Sequence, residues 1–312
     1  MRGLRFVSIA RYVPEKVVTN DDLSRIVDTN DEWIRTRTGI GERHFSEGET
    51  AVDLCVGAAR LALERAGIAP EELAGCIVAT CTPDHASPSN ACLVQAALGL
   101  PENIPCYDIS AGCTGFLYGL ETVRGMLALE EKKKYALLIG CDQLSRVIDM
   151  TDRSTCVLFG DGAGAAVLAL EDRLWHADLG SRGNAEVLWL NGPGPETTYI
   201  HMDGPGVYRF AVDALPSCAR TLLDKSGLTL DDIDWIVPHQ ANRRIIETAA
   251  KRLHAPLEKF YQNMERYGNT SAASVPIALD EMVEQGLLKR GQKVLAVAFG
   301  AGLTWGGALF EW

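Results

Sequence analysis

The sequence predicts an α/β fold made of two related halves, and three observations carry that prediction. Along the 312 residues, short β-like apolar runs alternate with helical patterns. Two helix–strand units, "ARLALERAGIAPEELAGCIVAT" (59–80) and "ARTLLDKSGLTLDDIDWIVPH" (219–239), share one plan: helix, glycine, short acidic turn, buried strand. A hydrophobic content of 47% suits a chain that buries a large core. The halves meet near residue 171, which divides the chain into 1–170 and 171–312.

In chain order, "AVDLCVGAARLALERAG" (51–67) carries apolar residues at helical spacing and stops at Gly67, and "GCIVAT" (75–80) follows as a buried strand. In "YDISAGCTGFLYGL" (107–120) an extended segment turns into a helix whose apolar face is Phe116, Leu117 and Leu120. "KKYALLIGCD" (133–142) reads as a strand, and "AAVLAL" after "GDGAG" as another. The Gly/Pro-rich "NGPGPETTYIHMDGPG" (191–206) reads as a loop. A helix over 210–227, a strand over 234–239, a helix over 241–253 and a strand over 293–300 complete the second half.

Bulk properties exclude several functions. A formal charge of −11 argues against a nucleic-acid or anionic-membrane surface, so a local basic cluster stands out against it. No apolar run reaches the roughly 18 residues of a membrane span, and the N-terminal stretch is too charged for a signal peptide; the expected location is cytoplasmic. The nine cysteines include no C-x-x-C pair, so neither a zinc site nor a disulfide framework is expected. The "GDGAGAA" and "GAGLTWGG" stretches lack the helix that a dinucleotide-binding glycine loop must open, which leaves a nucleotide-dependent oxidoreductase unsupported.

Three residues are candidates for chemistry. Cys113 sits among Ser110, Ala111 and Gly112 at a helix N-terminus, where unpaired N–H groups favour a thiolate and lower its pKa. Inert packing is the competing reading for a cysteine in such a place. His239 ends an apolar run and so projects from a strand terminus, a common position for catalytic groups in α/β folds. Asn269 precedes a small-residue helix entry that mirrors the entry at Cys113, where an asparagine can equally be a cap.

"DISAGCTGF", "VPHQAN", "GNTSAAS" and "FGAGLTWG", in this order and spacing, resemble β-ketoacyl-acyl carrier protein synthase III. The resemblance extends to "DTNDEWIRTRTGIGER" and "TDRSTCVLFGDGAGAAVL", and so covers nearly the whole chain. It implies the thiolase fold, two pseudo-symmetric halves layered αβαβα, in a homodimer. It also implies an initiating condensing enzyme of type II fatty acid synthesis. An acyl group passes from acyl-CoA to Cys113 and is then condensed with malonyl-acyl carrier protein, with loss of CO2. His239 and Asn269 would hold the enolate, and the backbone N–H groups of Cys113 and Ala301 the thioester oxyanion. No metal or redox cofactor is implied.

By position in the family's motifs, Trp33 and Arg153 would sandwich the adenine of coenzyme A, with Arg37 near its phosphates. Leu144 and Phe299 would line the acyl pocket, and Ser87, on a loop that reaches across the dimer, the far end of the partner's pocket, where it replaces a bulky aromatic common in the family. Arg209, Gln240, Arg243, Arg244, Lys251 and Arg252 would receive the acidic carrier protein. A relative on the same fold that condenses or esterifies in a specialised pathway is the alternative.

Overall fold

The structure is a computed structural model that describes residues 2–191 and 199–312. Counting the strands of the two large sheets and the longer helices, the first half holds β1 (Arg2–Tyr12), α1 (Asp31–Thr38), α2 (Ala51–Ala66), β2 (Leu73–Ala79), α3 (Asn90–Leu98), β3 (Cys106–Ile109), α4 (Gly115–Leu129), β4 (Tyr135–Asp142) and β5 (Gly162–Asp172). The second holds β6 (Trp175–Asn184), α5 (Gly204–Ser226), β7 (Trp235–Pro238), α6 (Arg243–Leu253), α7 (Ser274–Glu284), β8 (Lys293–Gly300) and β9 (Gly302–Glu311).

The sheets have the same strand order. One runs β1-β5-β4-β2-β3 and the other β6-β9-β8-β7. Where the first adds β3 through the pair Cys76↔Cys106, the second has a single parallel bridge, Ile236↔Phe260. Pairing senses correspond as well: β2 with β4 and β7 with β8 are parallel, while β4 with β5 and β8 with β9 are antiparallel.

Five layers follow from the contacts. Helix α2 covers one face of β1, β5 and β4, α5 covers β9, β8 and β6, and α4 and α7 lie between the sheets, each touching both. Strands covered on both faces must be apolar along their length, and β2 and all of β4 after Tyr135 are buried. That explains why alternation is absent from "GCIVAT" and "YALLIG".

Local chemistry sets the ends of the repeated helices. Thr50 and Asp53 form a capping box at the start of α2, worth about 1 kcal/mol. Both α2 and α5 stop on a left-handed glycine, Gly67 and Gly227, after which a three-residue turn leads into β2 or β7. The expected loop over 191–206 is corrected: His201–Met202 pairs with Leu188–Trp189, and α5 begins at Gly204 rather than 210 because Pro205 sits in its first turn, where it forfeits no helical bond. Residues 192–198 of that stretch lie outside the described residues.

Candidate active site

Cys113 lies in the turn Gly112–Thr114 that opens α4, and the matching turn Ser271–Ala273 opens α7 from the other half. Facing turns at the ends of the two central helices bring the halves together. Against Cys113 runs the corner between β8 and β9. A Cβ on Gly300 would fall 2.7 Å from the Cys113 nitrogen, and one on Gly112 would fall 3.0 Å from the Ala301 nitrogen. Only glycine permits this approach, and Gly112 is also left-handed at φ +54°. His254 and Ser271 are the non-glycine residues with positive φ among those described, so Ala301 keeps an ordinary backbone.

His239 follows β7 directly and is buried. Its Nδ1 is 2.7 Å from the Ser274 hydroxyl, and Phe299 meets its ring edge-on with centroids 5.4 Å apart. Burial pushes the imidazole down to about 3, so it is neutral at physiological pH. With Nδ1 engaged, Nε2 remains for chemistry.

Asn269 is clamped across the halves. Its N–H donates to Leu158 O at 2.9 Å, and its carbonyl accepts from Gly160 N–H at 3.0 Å. Its side-chain Oδ1 accepts from Ser271 N–H at 2.9 Å, and among the described residues the Nδ2 protons have no partner.

The expectation of a lowered thiol pKa at Cys113 is corrected. Burial pushes the thiol up to about 12, and the nearby Asp142 carboxylate adds to this while the Ser271 hydroxyl opposes it. Loss of solvation is the largest of these effects and favours the neutral thiol. Asp142 itself is fully buried: its Oδ1 accepts from Cys81 N–H at 2.8 Å and from the Thr80 and Thr82 hydroxyls, and its Oδ2 from Ala272 N–H at 3.2 Å. Sequence reading missed it, although an acidic residue ending the apolar run "YALLIGCD" is the signal that marks it.

Cys113, His239, Asn269, Phe299 and Ala301 open on one cavity of about 1530 Å³. The same cavity is also lined by Ser87, Leu144, Trp33, Arg37, Arg209 and Arg244. Arg153 lies on the Trp33 ring, its guanidinium 4.7 Å from the ring centroid, with Arg37 at 6.0 Å. At that separation the pair is closed on itself, so a base sandwiched between them requires Arg153 to lift. Leu188, Trp189, Ile200 and Tyr208 add an apolar wall that sequence reading did not single out.

The basic residues do not form one uniform face. Arg244 and Lys251 are exposed on α6, Arg243 lies over Gly39, and Arg209 stands 3.8 Å from Asp203. Arg252 is engaged by Asp213 and by Val212 O. Gln240 is corrected: it is buried, its amide donating to Pro238 O and Tyr261 O and accepting from Asn263 N–H, so it cannot meet a carrier protein. Its place beside His239 in the motif reflects a need to fix the strand end.

A cysteine, a neutral imidazole and an amide donor on one cavity, carried by five layers, define a condensing acyltransferase of the thiolase fold. Two family descriptions match, 3-Oxoacyl-[acyl-carrier-protein (ACP)] synthase III over residues 107–183 and its C-terminal counterpart over 223–312. Beta-ketoacyl-[acyl-carrier-protein] synthase III of Clostridium acetobutylicum is 46% identical over all of this chain and 99% of that protein. The crystal structure of 3-oxoacyl-[acyl-carrier-protein] synthase III from Aquifex aeolicus VF5 superposes with a TM-score of 0.94 at 42% identity, covering 99% of this chain and 100% of that one. A priming β-ketosynthase of the R1128 polyketide pathway gives 0.91 at 35%, covering 99% and 96%. The chain belongs to the 3-oxoacyl-[acyl-carrier-protein] synthase III family, the initiating condensing enzymes of fatty acid synthesis.

Proposed function

We propose that Cys113 takes an acyl group from acyl-CoA and passes it to malonyl-acyl carrier protein to give the 3-oxoacyl product and CO2. In the first half-reaction the sulfur of Cys113 bonds to the acyl carbon, the bond to coenzyme A breaks, and the thiol proton ends on the coenzyme A sulfur. Neutral His239 is the group available to carry it. In the second, the bond from malonyl C2 to its carboxylate breaks and the electron pair forms an enolate held by His239 Nε2–H and Asn269 Nδ2–H. The carbanion then displaces the Cys113 sulfur as a thiolate, which takes up a proton from solvent. The Ser274 hydroxyl serves both half-reactions: accepting from Nδ1–H it leaves Nε2 free to take the thiol proton, and donating to Nδ1 it keeps the proton on Nε2 for the enolate.

The observation that supports the reading best is a buried histidine and an oriented amide on the wall that Cys113 shares: two uncharged donors stabilise an enolate, where an imidazolium would protonate it. The test incubates the protein with acyl-CoAs, follows the intact mass, and then measures CO2 release on adding malonyl-carrier protein. Acylation without CO2 release would favour an esterifying relative. We place Trp33, Arg37 and Arg153 on coenzyme A, the half boundary near residue 171 at the end of β5, and the enzyme in the cytoplasm as a homodimer without metal or redox cofactor, nucleic-acid or membrane partner.

For the carrier protein we propose Arg244 and Lys251 as the principal contacts, with Arg209 and Arg243 beside them and Arg252 contributing less because Asp213 already holds it. Replacing Arg244 and Lys251 by Glu is expected to raise the KM for malonyl-carrier protein about tenfold and flatten its salt dependence, while acylation by acyl-CoA is unchanged. Equal loss in both half-reactions would refute the assignment.

Ser87 bears on chain length. It is exposed and lines the cavity with His85 and Ala86 near the edge strand β3, so a small residue leaves this end open. Each methylene buried there contributes about 0.8 kcal/mol. In competition among acetyl-, isobutyryl-, octanoyl- and dodecanoyl-CoA, the longer or bulkier groups are expected on Cys113, and Ser87→Phe should restore acetyl preference. Strict acetyl preference in the unmodified protein would remove the idea.

A further inference from the structure

We propose that Thr114 and Thr304 are positioning residues that fix the spacing of the oxyanion donors, Cys113 N–H and Ala301 N–H. This rests on the proposed role of those two N–H groups. The donors come from different halves, one from the turn before α4 and the other from the corner between β8 and β9, so no single element of secondary structure sets their separation. A bridge between the two segments is therefore required.

The hydroxyls supply it. Thr114 Oγ1 lies 2.6 Å from Ala111 O and 2.9 Å from Thr304 Oγ1. Thr304 Oγ1 in turn lies 3.0 Å from Ala301 O and 3.3 Å from Ala111 O. Ala111 O belongs to the peptide just before the one that carries Cys113 N–H, and Ala301 O to the peptide just after the one that carries Ala301 N–H. One proton between the hydroxyls and one on a carbonyl tie the two segments together. Both threonines are buried, Thr114 completely and Thr304 to 7% exposure at the cavity wall, so the bond between the hydroxyls is largely shielded from solvent.

Valine has the shape of threonine without the hydroxyl, so Thr304→Val cuts the bridge with little change in volume. Expected are a kcat for acyl transfer about tenfold lower with KM for acyl-CoA unchanged, and recovery in Thr304→Ser. A second readout sees the donors directly: the infrared stretch of an isotope-labelled thioester carbonyl on Cys113. In the unmodified enzyme it should lie below that of a free thioester, in Thr304→Val it should move toward the free value, and in Thr304→Ser it should return. Loss of packing alone would lower thermal stability without this pattern. If the unmodified acyl-enzyme already shows an unpolarised carbonyl, the oxyanion reading fails. If it is polarised and stays so in Thr304→Val, the positioning role fails by itself. Should Thr304→Val not fold, Thr114→Val makes the same cut from α4, with the same expected shift and the same overturning result.

Discussion

Asn269→Ala will accept an acyl group from acyl-CoA at close to the unmodified rate and lose about 100-fold or more of its condensing activity. The amide donates nothing to the first half-reaction in the proposed scheme, whereas in the second it is one of two donors on the enolate. Its backbone bonds to Leu158 and Gly160 do not involve the side chain, so truncation should leave the loop in place. The bond lost is Oδ1 to Ser271 N–H, at the turn entering α7. Cys113→Ala, by contrast, will show no acylation by intact mass. His239→Ala will still become acylated, more slowly because the neutral thiol loses a base, and will fail to condense. Full condensing activity in Asn269→Ala would refute the assignment of the enolate donors.

Gly300→Ala is expected to lower both half-reactions together, by about 100-fold, with KM for acyl-CoA nearly unchanged. The added Cβ would lie 2.7 Å from the nitrogen of Cys113 and 3.3 Å from its Cα and Cβ. These are atoms that cannot swing aside as the end of a flexible side chain can, so the turn at Cys113 must shift. A shift of several tenths of an ångström removes an oxyanion donor from a geometry built for a single oxygen position. Steady-state kinetics of acylation and condensation on the purified variant check this, with thermal unfolding as a control for stability. Unimpaired turnover would mean that Cys113 N–H is not a donor.

The two-fold organisation and the short strands were legible in the sequence because buried parallel strands must be apolar throughout and helices that end on left-handed glycine advertise it. The loop over 191–206 misled because glycine and proline are read as breakers, while Pro205 in the first turn of α5 breaks nothing. Gln240 misled through its neighbours. Adjacent in sequence to His239 and followed by arginines, it nevertheless turns inward to bond Pro238, Tyr261 and Asn263.

By itself the sequence determined the class of fold, the identity of Cys113, His239 and Asn269 as candidates, and the family resemblance that joined them. Each depends on local pattern or on residue type in order. The tertiary structure alone decided the electrostatics and the supports. Whether a thiol at a helix N-terminus is ionised depends on how much solvent it has lost, and at Cys113 that loss favours the thiol. Likewise the bonds of Asp142 to Cys81, of Ser274 to His239 and of Thr114 to Thr304 join residues 61, 35 and 190 positions apart, which no window along the chain can pair, because hydrogen bonds are set by distance in space.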